Sequence, residues 1–192
     1  MLSKPTLDQI VELRTERLRL RQWCGADKEL FAKMSSDPEV MRYFPALLSS
    51  KESELLAEKI TALIAENGYG FWAVTLRNDK LPEEFIGFVG LHWQTQVNPS
   101  QPFMEIGWRL ARRYWGSGYA YEAAQKALSF AFETLKLNEV YAFTALSNLP
   151  SQKLMKRLGM KNMERDFLHP SLPTGHPLQA HCLYKVTASE VT

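Results

Sequence analysis

Met104-Glu-Ile-Gly-Trp-Arg-Leu-Ala-Arg-Arg-Tyr-Trp-Gly-Ser-Gly-Tyr-Ala-Tyr-Glu-Ala123 is the stretch whose reading decides the fold. Met104, Ile106, Trp108 and Leu110 alternate with Glu105, Gly107 and Arg109, which is the period of a strand. The chain then turns through Arg113-Tyr-Trp-Gly-Ser-Gly118 into a helix, with Ala120, Ala124, Ala127, Ala131 and Leu135 on one side. Glu122, Lys126, Ser129 and Glu133 line the other side. A glycine-bearing loop that feeds a helix leaves a run of backbone N–H groups without carbonyl partners, and these suit a phosphate. A dinucleotide fingerprint would need a third glycine where Tyr121 stands, and the chain holds no Gly-Lys-Ser/Thr of a P-loop. Read alone, the loop is either a different phosphate cradle or a plain strand-to-helix turn, and the rest of the chain must separate the two.

Composition sets the frame. The chain has 192 residues, 45% hydrophobic and 23% charged, as expected of one ordinary globular domain. A formal net charge of +2 does not point to nucleic acid as a partner. Arg14, Arg17, Arg19 and Arg21 fall at strand spacing and read as a solvated face. Two cysteines make no disulfide framework and point to a reducing compartment. The N-terminal residues lack the apolar core of a signal peptide, and no run approaches membrane-spanning length. The expectation is a cytoplasmic monomer or homodimer with no membrane and no nucleic-acid partner.

Working outward, residues 1–14 read as an N-terminal extension, followed by a first strand from Leu18 to Trp23. Asp27–Met34 reads as a helix, and Asp37-Pro38 opens a short apolar piece that Pro45 stops. Ser49-x-x-Glu52 is a capping box, and its helix ends at Gly68. Phe71–Leu76 and Phe85–Trp93 form a hairpin whose turn starts at Asn78-Asp79, the second strand being interrupted by Gly87 and Gly90. Residues 94–102 are a polar loop. Glu139–Leu146 is a buried strand, and a strand–helix–strand crossover makes it a parallel neighbour of Met104–Leu110. Asn148 caps a helix that ends at Gly159, and residues 160–168 and 182–187 make a final antiparallel pair.

This order, β-α-α-β-β-β-α-β-α-β-β, resembles the fold of the GCN5-related N-acetyltransferase (GNAT) family. Arg113-x-x-Gly116-x-Gly118 is similar to that family's Arg/Gln-x-x-Gly-x-Gly/Ala pyrophosphate loop. Thr15-Glu-Arg-Leu-Arg-Leu-Arg21 with Ser36-Asp-Pro-Glu-Val-Met41 resembles the branch that contains the ribosomal-protein alanine and serine N-acetyltransferases. Trp115-Gly-Ser-Gly-Tyr-Ala-Tyr-Glu-Ala123 and Asn148-Leu-Pro-Ser151 with Leu158-Gly-Met160 resemble its later motifs, so the likeness spans about residues 14–187. The resemblance implies an α/β (α+β) domain over residues 1–192. Its mixed central sheet would have six to seven strands, with the fourth and fifth parallel and splayed.

The resemblance also implies acetyl-coenzyme A as co-substrate, no metal, and an amine acceptor that is a protein N-terminus or a small molecule. Trp108 and Leu110 would pair with the pantetheine arm, with a bulge allowed by Gly107. Arg113, Trp115, Gly116, Ser117, Gly118, Tyr119 and Ala120 would hold the pyrophosphate. Asn148 and Ser151 would also contact the cofactor. The amine would attack the thioester directly, which calls for a base and a proton donor. Glu105 is the candidate base, perched on the strand beside the gap and read alternatively as a plain strand carboxylate beside Arg109. His92 is a second candidate base. The tyrosine that many acetyltransferases carry beyond the Asn is absent between Asn148 and His181. The resemblance therefore implies Ser151, which falls where this branch has its serine, as the donor, read alternatively as a polar residue of a helix's first turn. His169, His176, His181 and Cys182 lack zinc-site spacing. Acceptor specificity falls to residues 36–48, 92–103 and 168–181. The reading from another class is a coenzyme A-binding regulatory domain without catalysis, which would not bring Glu105 and Ser151 to one gap.

Overall fold

The computed structural model describes residues 4–77, 83–97 and 101–190. It begins with β1 (Leu13–Arg14), β2 (Leu18–Arg21), α1 (Gly25–Ser35), α2 (Pro38–Met41) and α3 (Ser50–Asn67). The strands β3 (Phe71–Leu76), β4 (Glu84–Gln94) and β5 (Phe103–Leu110) follow. After a single 3-10 turn at Arg112–Tyr114 come α4 (Tyr119–Glu133), β6 (Glu139–Ala145) and α5 (Leu149–Arg157). β7 (Lys161–Asn162), β8 (Phe167–Leu168) and β9 (Ala180–Thr187) complete the sheet. The sheet runs β1-β2-β3-β4-β5-β6-β9-β7, with β8 also on β9. Every pairing is antiparallel except β5 with β6.

The six longer strands are those the sequence leads one to expect, and three two-residue strands raise the count to nine. β7 and β8 are the two pieces into which the expected 160–168 strand divides, both antiparallel to β9, whereas β1 carries too few side chains to show a period. The N-terminal residues are more ordered than an extension. Leu7 and Val11 donate backbone bonds to Asn67 and Gly68 at the end of α3, and Leu13 and Arg14 join the sheet. The Asn78-Asp79 turn and residues 98–100 of the polar loop lie outside the described residues.

Helices cover both faces of the sheet because its strands alternate. On β3, Phe71 meets Phe88 on one face, where Phe31 of α1 and Trp23 complete an aromatic cluster. The next residue, Trp72, meets Phe130 of α4 on the other face. The small residues Ala123, Ala124, Ala127 and Ala131 are buried along α4 and let that helix lie close to the sheet. The capping box at Ser49 forms as read, with Ser49 N donating to Glu52 at 2.8 Å, and Gly68 closes α3 at φ 79°.

Two expectations about strand geometry need correcting. β4 is not interrupted at Gly87 or Gly90 but runs unbroken from Glu84 to Gln94. The bulge expected at Gly107 is absent, since β4 and β5 pair in continuous register through Gly90↔Gly107. The irregularity lies one strand away, where the β3–β4 register slips between Val74 and Thr75 opposite Gly87, a residue at φ 143°. Gly90 is required by close approach instead: a Cβ there would sit 1.9 Å from the Gly70 carbonyl oxygen.

Gly90→Ala therefore overpacks the β3–β4 seam. We expect a loss of about 2 kcal/mol or more in urea unfolding, against a near-neutral Gly25→Ala control, since nothing lies within 4 Å of a Cβ at Gly25 and its backbone is not left-handed. Equal midpoints for Gly90→Ala and wild type would refute the close-approach argument.

Candidate active site

The parallel strands part almost as soon as they meet. Glu105↔Tyr141 is their one register pair, and from Ile106 to Leu110 the β6-facing edge of β5 has no strand beside it. A cavity of about 920 Å³ opens against this divergence. Its wall takes in β5 from Glu105 to Leu110, the loop before α4, the first turn of α5 and the aromatic end of α2.

Strand period decides which side chains enter it. Glu105, Gly107 and Arg109 share a face of β5, and their partners on β4 are His92, Gly90 and Phe88. The two candidate bases are thus cross-strand neighbours. Glu105 does not pair with Arg109. Its carboxylate accepts from Gln94 Nε2 at 3.0 Å, while burial against the cavity wall pushes its carboxyl up to about 7. Its remaining exposure is to that cavity. His92 stacks on Phe71 with ring centroids 5.8 Å apart, and desolvation holds its imidazole below the usual histidine range.

Ser151 sits in the first turn of α5. Its N–H donates to Asn148 Oδ1 at 3.3 Å, and Asn148 Nδ2 donates to Thr144 Oγ1 at 2.8 Å. Asn148 is thus the helix cap, locked to the end of β6, and it presents Ser151 on the cavity wall. Glu105 and Ser151 both line this cavity.

The loop before α4 has the character of a ligand cradle. Every other helix starts with a polar side chain on a free amide: Asp27 takes Cys24 N, Asp37 takes Glu39 N, Ser49 takes Glu52 N and Asn148 takes Ser151 N. Among the described residues α4 has no such cap. Gly118 stands at its N-cap at φ 82° and Gly116 at φ 75°. Amides left open at the positive end of a helix are the donor set a pyrophosphate requires, so the residues fit coenzyme A. Trp108, Leu110, Trp115, Gly116, Gly118, Tyr119 and Ala120 all line the cavity. Arg113 and Ser117 do not. Arg113 is drawn to Glu84 at 2.6 Å, and the Ser117 carbonyl accepts from Arg17 Nη1 at 3.1 Å.

Arg17 is the residue the sequence reading missed. It is exposed, as a solvated face requires, but it also works as a clamp. Its Nε and backbone N–H donate to Glu122 in the first turn of α4 at 2.7 and 3.0 Å, and its guanidinium lies 4.6 Å from the Tyr119 ring centroid. Thr15 Oγ1 donates to the same Glu122 carboxylate at 2.5 Å. The signal was present in Thr15-Glu-Arg17 and Tyr119-Ala-Tyr-Glu122, but nothing in one chain joins motifs that far apart. Arg19 and Arg21 are likewise paired, with Glu12, Glu83 and Asp27, so the early arginines form no open basic face.

From the 168–181 segment, His169 and His181 reach the cavity with rings 4.9 Å apart, packed against Phe143. Burial lowers the pKa of both. Among the described residues no group of three or more histidine, cysteine or acidic side chains is placed to hold a metal ion, and no helix is long and apolar enough to cross a membrane.

Comparison with known proteins agrees with this geometry. Residues 17–161 match the family model described as acetyltransferase (GNAT) domain. The chain is 32% identical over 151 residues to an uncharacterized N-acetyltransferase, p20, of Bacillus licheniformis, covering 78% of this chain and 82% of that protein. It is 28% identical over 185 residues to the FsC-acetyl coenzyme A-N(2)-transacetylase of Aspergillus fumigatus, covering 93% of this chain and 77% of that one. The crystal structure of a GNAT-family acetyltransferase from Bacillus anthracis superposes with a TM-score of 0.75 at 25% identity, covering 94% of this chain and all of that one.

Gly118→Val places a β-branched side chain at a left-handed N-cap, 3.4 Å from Arg17 Nη2. We expect calorimetric titration with coenzyme A to show at least a tenfold loss of affinity. Unchanged affinity would remove this loop from the cofactor site.

Proposed function

The chain belongs to the GNAT acetyltransferase family, and from that premise we propose that it transfers an acetyl group from acetyl-coenzyme A to a primary amine held on the Glu105 face of β5. The carrying observation is the Glu105 carboxyl. It is buried at the strand divergence, pushed up to about 7, and lines one cavity with Ser151. A base works best when its pKa lies near the operating pH, and burial has moved this carboxylate there.

Acetyl-coenzyme A supplies the acetyl group as an activated thioester. The backbone of Trp108 and Leu110 on the edge of β5 holds the pantetheine arm, and the open amides from Gly116 to Ala120 hold the pyrophosphate. Asn148, besides capping α5, borders the arm. Glu105 takes the proton from the acceptor ammonium, directly or through one water, and leaves a neutral nucleophile. Ser151 Oγ gives a proton to the departing sulfur and regains one from the nitrogen of the collapsing tetrahedral intermediate as the new amide forms. His92, already neutral beside Glu105, shapes the pocket floor. The acceptor is a small amine or a protein N-terminus, and the ribosomal-protein-type motifs keep the second of these in view. Such a protein works in the cytoplasm, where its co-substrate is available.

Glu105 acts as base when ionised, so kcat/KM should fall as pH drops through about 7. Glu105→Gln should abolish that limb and slow turnover by about 100-fold. A limb centred below 6.5 that survives the substitution would transfer the role to His92, whose pKa is lowered. Ser151→Ala should reduce kcat by more than it weakens acetyl-coenzyme A binding. Parallel losses would leave Ser151 only a binding residue.

A further inference from the structure

Arg109 has no partner that accounts for its place. It lies on the cavity wall two strand positions from Gly107, on the same face as Glu105. Its Nε and Nη1 are out of solvent contact without a hydrogen bond among the described residues, and it enters no ion pair there. Two rings hold it instead. The guanidinium carbon lies 4.0 Å from the Phe44 centroid and 5.3 Å from that of Phe88. Desolvation lowers its pKa to about 10, which leaves it charged at neutral pH.

A half-buried guanidinium with two sealed and unbonded nitrogens is costly, and the fold keeps it on the wall of the cavity that holds Glu105. The rest of the wall leans the same way. Arg42, Lys59, Lys153 and Arg157 also line the cavity, whereas Glu39 is the only carboxylate besides Glu105, and it stands 3.8 Å from Arg42. We propose that Arg109 binds a carboxylate of the acceptor, so that the substrate is an amino acid or a similar small amine bearing an acid group. This narrows the acetyl-transfer reading above and rests on it.

The geometry fits such a molecule. Glu105 and Arg109 are four residues apart on one strand face, about 13 Å between their backbone positions, with long side chains at both ends. Gly107 and Gly90 face each other between them, and the Phe71 ring packs onto Gly107, 3.0 Å from where a Cβ would stand, so an aromatic face and not a polar side chain spans that interval. The amine then lies at Glu105 and the acid at Arg109, while Phe44, Phe71 and Phe88 cover the body. Held by two rings, with Nε and Nη1 shut off from solvent, the guanidinium has Nη2 left to donate, and a charged N–H donor favours a carboxylate over a neutral amide. A polycationic acceptor would meet repulsion from Arg109 and from the surrounding wall.

The test offers α- and ω-amino acids as acceptors with acetyl-coenzyme A, each beside its own carboxamide, and follows thiol release. We expect at least one acid to exceed its amide about 100-fold in kcat/KM, although an amide's α-amine is the less protonated of the two. Arg109→Gln should bring that ratio near one while acetyl-coenzyme A affinity holds, and Arg109→Lys should keep part of the preference. A merely structural arginine would leave the ratio untouched. In parallel, the coenzyme A-loaded protein is titrated calorimetrically with the N-acetyl acids and N-acetyl amides of the same panel, which reads the anion site without turnover. Acid and amide alike in both assays, or a preference that survives Arg109→Gln, overturns the proposal and leaves acetyl transfer standing. Failure to bind acetyl-coenzyme A at all removes the site beneath it and the proposal with it.

Discussion

One backbone pairing, Glu105 against Tyr141, joins the two halves of this sheet, and the site exists because the pairing goes no further. On one side β1 to β5 form an antiparallel series, and on the other β6 carries β9, β7 and β8. A parallel pair that stays in register would satisfy the β5 backbone from Glu105 to Leu110 and leave no room. Divergence leaves donors and acceptors facing a cavity, and backbone groups in that state need a partner. The two halves are held together elsewhere, by α4 lying across β4, β5 and β6 and by the contact of α4 with α5.

The loop before α4 is the second consequence of that arrangement. It starts where β5 ends, so the open amides of the helix face the same gap. Such a loop has little to stabilise it from within, since Gly116 and Gly118 contribute no side chains. Stability comes from outside: Arg17 and Thr15, in the turn between β1 and β2, hold Glu122 in the first turn of α4, and Arg17 also holds the Ser117 carbonyl. The shape of a flexible-looking glycine turn is therefore set by residues a hundred positions earlier in the chain.

Charge placement on the Glu105 face runs against what stability alone favours. Burial raises the Glu105 carboxyl to about 7 with only Gln94 to hold it, and Arg109 has aromatic rings in place of an anion. Two buried ionisable groups of opposite sign on one strand face could neutralise each other, yet Glu105 hydrogen-bonds elsewhere and Arg109 to nothing described. Groups kept apart in this way remain available to a bound molecule, and folds tolerate the cost at functional sites.

Much of this was legible from residue order. Alternation placed β3, β4, β5 and β6 within a residue or two, Ser49-x-x-Glu52 and Gly68 bounded α3, and the Gly116-Ser-Gly118 turn located an uncapped helix start. These signals are local: a side-chain period, a cap or a left-handed glycine is complete within a few residues. Of the two-residue strands, β7 and β8 fall inside the expected 160–168 strand, while β1 was not legible because a period needs more than two side chains, and the bulge was misplaced because glycine marks permission and not location. The partners of the charged residues were invisible for a different reason. That Arg17 clamps Glu122, that Glu105 faces His92 and Gln94 and not Arg109, and that Arg109 lies between Phe44 and Phe88 depend on strand register and helix docking across long separations. Sequence by itself determined the elements and the chemistry they carry; the tertiary structure decided which charges meet, because that is a property of distances the packed core alone defines.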